Sequence, residues 1–79
     1  MTALRWHRTS TRDGIVWWAE RGGSEVANVV MTGRPGVDDY PWDWYILFRV
    51  RPDDRGKGRT SGVTATLRDA KTAVAQALA

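Results

Sequence analysis

The chain contains no cysteine. Disulfides and thiolate metal centres are therefore excluded, and with them the stapled scaffold used by many short secreted domains. A reducing cytoplasm is the expected setting. Histidine is almost as scarce, with His7 alone. Zinc takes about three protein ligands even in a catalytic site. One histidine among scattered carboxylates is no such set, so no metal and no cofactor is expected, and His7 reads as a surface residue on an edge strand. No apolar run approaches membrane-spanning length, and Met1-Thr2-Ala3-Leu4-Arg5-Trp6 has no apolar signal core. A membrane is not expected among the partners.

Lysine is scarce as well. Ten Arg stand against two Lys, Lys57 and Lys71. Arg forks onto phosphate and carboxylate better than Lys does. Many Arg, Ala, Gly and Val beside few Lys, Ile and Asn is also what a GC-rich genome writes, so the Arg count argues only weakly for nucleic acid. The net charge of +3 and pI near 10.0 permit an anionic partner without requiring one.

What the chain has is aromatic bulk. Five Trp, two Tyr and one Phe in 79 residues can make a dense core in a domain too small for a large one. Residues 1–79 are read as a single domain. The stretch 42–51, Trp42-Asp43-Trp44-Tyr45-Ile46-Leu47-Phe48-Arg49-Val50-Arg51, organises it. From Trp44 onward, Trp44, Ile46, Phe48 and Val50 alternate with Tyr45, Leu47, Arg49 and Arg51. That period of two marks a half-buried strand.

Three earlier strands are expected at 4–9, 15–21 and 25–32. Asp13-Gly14 closes the first hairpin and Gly22-Gly23-Ser24 the second. Both faces of the second strand hold a Trp. Trp17 and Ala19 are assigned inward, because Val16, Trp18 and Glu20 end in a charge. In the third strand, Asn28 turns Ala27, Val29 and Met31 toward the core. Two Pro, two Gly and Asp38-Asp39 break regular structure at 33–41. A polar Gly-rich loop is expected at 52–62. Thr66 then N-caps a helix, with Asp69 at N3 as a partial capping box. Leu67, Ala70, Val74, Ala77 and Leu78 form its apolar stripe. The expected fold is α+β: a three- to four-stranded antiparallel meander, ββββα, with one C-terminal helix packed on one face.

No catalytic residues are expected. Nothing around Ser10, Ser24 or Ser61 makes a nucleophile elbow for use with His7. Asp38-Asp39 and Asp53-Asp54 sit beside Pro in loops, where Asp shapes turns. A compact nuclease using those doublets is the enzyme alternative. In Arg55-Gly56-Lys57-Gly58-Arg59, Lys57 is followed by Gly58, so the spacing of a phosphate-cradling loop is absent. Arg55, Lys57 and Arg59 can still touch a nucleic-acid backbone.

The open sheet face is the candidate binding site: Arg5, His7, Trp18, Tyr45, Leu47, Arg49 and Arg51. Aromatics mixed with Arg serve both protein hot spots and single-strand stacking platforms. The bland reading makes Trp18 and Leu47 a minor second core under the 33–41 loop, with Tyr40 and Trp42 folded over them.

The strands bearing Trp17-Trp18-Ala19 and Trp42-Asp43-Trp44, a Gly-containing loop, and Thr66-Leu67-Arg68-Asp69-Ala70-Lys71 together make a pattern. It is similar to that of small ββ(β)α proteins of actinobacterial phages and prophages. The sheet and its following helix also resemble, more weakly, the amino-terminal arm-binding domain of phage tyrosine integrases, which lays a three-stranded sheet into the DNA major groove. The first resemblance implies a small accessory protein, not an enzyme, that binds a host or phage macromolecule through its sheet face; Trp18 and Leu47 on that face favour a protein. The second implies DNA binding, with Arg49 and Arg51 as contacts. Monomer and homodimer are both compatible with the pattern.

Overall fold

The computed structural model describes residues 4–12, 14–47 and 60–78. Five strands and one helix follow in order: β1 (Arg5–Thr11), β2 (Gly14–Arg21), β3 (Ser24–Met31), β4 (Trp42–Ile46), β5 (Ser61–Thr64) and α1 (Leu67–Ala77). The strands pair antiparallel in sequence order, so the sheet is a meander with a C-terminal helix. The α+β class holds, but the sheet has five strands, not three or four. Ser61 and Gly62, read as the end of a polar loop, begin β5.

Short local signals make the first two turns. Thr11 pairs with Gly14 to close the β1–β2 hairpin, and the Thr11 hydroxyl donates to the Gly14 carbonyl at 2.9 Å. Arg21 pairs with Ser24 across Gly22 and Gly23, whose φ values are +61° and +84°. Positive φ at both central residues is the hairpin turn whose twist matches that of the strands, and glycine reaches it without steric cost. The 33–41 loop is held differently. Thr32 and Gly33 both donate their N–H groups to the Pro41 carbonyl, at 2.8 and 3.1 Å. Asp38 accepts from the Arg34 N–H, and Val37 and Asp38 donate back to the Arg34 carbonyl. Asp38 is thus a turn-forming residue, as its place beside Pro suggested.

The two faces sort as the alternation predicts. Trp17, Val29, Trp44 and Gly62 line up across four strands, as do Trp6, Ala19, Ala27 and Ile46. Ala19, Ala27, Val29, Trp44 and Ile46 are buried with Ala70, Val74 and Leu78 of the helical segment. Small Ala19 and Ala27 beside large Trp and Ile let the layers interdigitate at interior density. The inward choice for Trp17 and Ala19 is correct: Trp17 packs against this core and Ala19 is fully buried.

The helix rests on β4, with further contacts to β3 and β5, leaving β1 and β2 less covered. There the Lys71 ammonium lies 4.1 Å from the Trp17 ring centroid and 5.4 Å from that of Trp6. A cation over these rings is attractive, and its alkyl stem covers apolar surface. The Arg21 guanidinium donates to the Leu78 carbonyl at 3.2 Å. It supplies from β2 the positive charge that the last turn of α1 lacks.

Thr66 caps α1 with extended backbone, and its hydroxyl accepts the Asp69 N–H at 3.0 Å. Thr66→Ala should therefore lower stability by about 1 kcal/mol. Urea denaturation will measure this; an unchanged midpoint would mean that the cap adds nothing to the docked helix.

Candidate functional site

The face opposite α1 is built from the other half of each alternation. His7, Trp18, Asn28, Tyr45 and Ser61 are directly paired, one from each of five strands. Thr9, Val16, Val30, Asp43 and Val63 form the next row. Among the described residues no helix packs on this side. Tyr45 is 43 % exposed and Val63 53 %. Trp18 is half-buried and does not join the core cluster. The result is an aromatic and aliphatic band across the sheet with polar groups at both ends.

At one end the Asp43 carboxylate is a shared acceptor. The Thr32 hydroxyl donates to Oδ1 and the Tyr45 hydroxyl to Oδ2, each at 3.2 Å. The hydrogen bond to Asp43, then its negative charge, then slight burial push the Tyr45 phenol above its ordinary range. Tyr45 is thus a neutral donor to Asp43.

At the other end a pairing irregularity matters. Ala19 pairs with Ala27, but Glu20 pairs with Glu25, so β3 has one more residue than β2 at this point. Val26 is the additional residue, and it is buried. Strict alternation would place Glu25 with Ala27 and Val29. The bulge instead brings it beside Glu20 and His7. His7 Nε2 lies 3.8 Å from a Glu20 carboxylate oxygen and 4.0 Å from one of Glu25. One ligand atom from each of the three residues lies within 4.8 Å of the others. His7 is a surface residue of the edge strand β1, as expected, but two carboxylates are gathered beside it rather than scattered. A bulge re-aims a side chain in a way that no period-two pattern anticipates.

The predicted site residues fare unevenly. Arg5 is exposed and pairs in register with Glu20. His7, Trp18 and Tyr45 share one row of the open face, as expected. Leu47 does not extend it: β4 ends at Ile46, and Leu47 is half-buried against the core. The 33–41 loop does not cover the face either. Tyr40 is 63 % exposed, and Trp42 packs against the helix-side core. The expected phosphate contacts Arg55, Lys57 and Arg59, together with Arg49 and Arg51, lie outside the described residues. Glu20, Glu25 and Asp43 are the members that the sequence reading missed. Asp43 was within reach, since it alternates with Tyr45.

The charge balance follows. Among the described residues of this face, one guanidinium, Arg5, stands against the carboxylates of Glu20, Glu25 and Asp43. No described helix is long and apolar enough to cross a membrane. No family model, curated protein or solved structure matches the chain.

Proposed function

We propose that this chain is a small non-enzymatic module that binds a protein partner, of host or phage origin, through the open face of its sheet. The observation that carries the reading is the band formed by Trp18, Tyr45 and Val63, flanked by Glu20, Glu25 and Asp43. Aromatic anchors surrounded by polar groups are the composition of interface hot spots. The three carboxylates repel a phosphate backbone and suit a basic rim on a protein. The resemblance to small phage ββ(β)α proteins supports an accessory role in the cytoplasm of a host cell.

DNA binding is the reading to be tested against this one, because Arg49, Arg51, Arg55, Lys57 and Arg59 follow the fourth strand in sequence. The test compares the wild-type chain with a Trp18→Ala, Tyr45→Ala double variant. Each is immobilised and challenged with host lysate, and each is titrated with labelled duplex and single-stranded DNA over a salt series. A protein retained by the wild type and lost by the folded double variant is the expected result. Tight DNA binding with a steep salt slope, unchanged in the double variant, would overturn the protein reading in favour of a phosphate-tracking surface.

A further inference from the structure

The grouping at the β1 end of the open face has chemistry of its own. It contains one imidazole nitrogen and two carboxylates, from three adjacent strands. That donor set suits a borderline divalent ion such as Zn²⁺, which accepts both nitrogen and oxygen ligands. Two carboxylates with a neutral imidazole also offer the charge that balances a dication.

Geometry sets the second condition. Metal–ligand bonds of roughly 2.0–2.2 Å place neighbouring ligand atoms about 3.4 Å apart around a tetrahedral ion. The imidazole nitrogen now lies 3.8 and 4.0 Å from the two carboxylates. Closing on an ion therefore takes about half an ångström between the imidazole and each carboxylate, and up to about 1.4 Å between ligand atoms that now lie as much as 4.8 Å apart, within the rotamer freedom of two glutamates on a fixed sheet. The three side chains are 31–44 % exposed, which leaves room for water to complete the coordination shell. The backbone is already arranged for this. The bulge at Val26 sets Glu25 directly opposite Glu20, so that both carboxylates reach the same imidazole. Arg5, in register with Glu20, partly offsets the negative field and keeps the site weak.

From this arrangement we infer that His7 Nε2, Glu20 and Glu25 form a surface site for a divalent transition metal of the Zn²⁺ type. The inference does not depend on what the rest of the face binds.

The experiment is a Zn²⁺ titration of the full chain, followed by the imidazole resonances of His7. With one histidine in the sequence, the signal has a single source. The expected result is saturable one-to-one binding that shifts both ring resonances and raises the melting temperature with Zn²⁺ concentration. Glu20→Gln and Glu25→Gln should each weaken the apparent affinity by about tenfold or more, the loss typical even of outer-shell changes around bound metals. Melting curves without metal confirm that the variants fold. Ca²⁺, which prefers oxygen ligands, should leave the ring resonances in place. No ring shift in excess Zn²⁺ would overturn the inference. So would an affinity that neither glutamine substitution changes, since a lone surface imidazole would then account for the binding.

Discussion

Trp44→Ala should destabilise the protein by roughly 3–5 kcal/mol, the range for truncating a buried large aromatic. Trp44 is 6 % exposed and lies in the core between Val29 and Gly62 on the neighbouring strands. The site cannot collapse easily, because Gly62 has no side chain to move into the space. The cavity term therefore adds to the transfer term in full. A domain of this size holds about 5–10 kcal/mol in all, so the loss takes a large share. At about 4–8 °C per kcal/mol, the melting temperature should fall by at least about 12 °C. Trp18→Ala is the internal control: the same residue type removed from the opposite face, where it is half-buried outside the core cluster. It should cost clearly less. Equal losses in calorimetry would mean that the two faces contribute alike, and the assignment of one as core would fail.

The second large effect runs against strand propensity. Gly62→Ala or Gly62→Val puts a better strand former into β5, yet either should destabilise by about 1–3 kcal/mol through overpacking. A Cβ at this position would lie 2.7 Å from Trp44 Nε1, 3.0 Å from Cε2 and 3.1 Å from Cζ2. The indole occupies the space of the missing side chain. It is a rigid ring held in the core, not the loose end of a flexible chain, so it cannot give way cheaply. The constraint is space rather than backbone angle, since Gly62 is not among the positive-φ glycines. A double-mutant cycle separates the two causes. In a Trp44→Leu background, Gly62→Ala should become nearly neutral, leaving a coupling energy of about 0.5–3 kcal/mol between the two sites. Additive losses would show that the glycine serves the backbone and not the indole.

Trp44 and Gly62 also mark where the sequence is legible. Trp44 stands in an alternating run, and its inward position could be read from the period alone. The role of Gly62 could not. Its neighbours Ser61, Val63 and Thr64 form too short a strand to show a pattern, and the space it leaves belongs to a residue on another strand. The candidate face divides the same way. His7, Trp18 and Tyr45 share a row because β1 to β4 keep simple register as far as that row. Leu47 departs because β4 ends one residue before it.

By itself, then, the sequence determined the elements whose signals are local. Alternating apolar residues placed four strands, and the polar residues among them, Glu20 and Asn28, marked the outward faces of the second and third. Positive-φ glycines at Gly22 and Gly23 set the second hairpin. An apolar stripe behind the Thr66 cap fixed a helix that docks on one side. Each of these depends on interactions within a few residues of chain, and such preferences are written in the residues concerned. The tertiary structure alone decided the rest. The short β5 exists as a strand because it supplies hydrogen-bond partners along β4. The extra residue at Val26, a matter of register between β2 and β3, turned Glu25 onto the open face beside His7 and Glu20. Pairing and register between strands are settled by contacts distant in sequence, where no local pattern can record them.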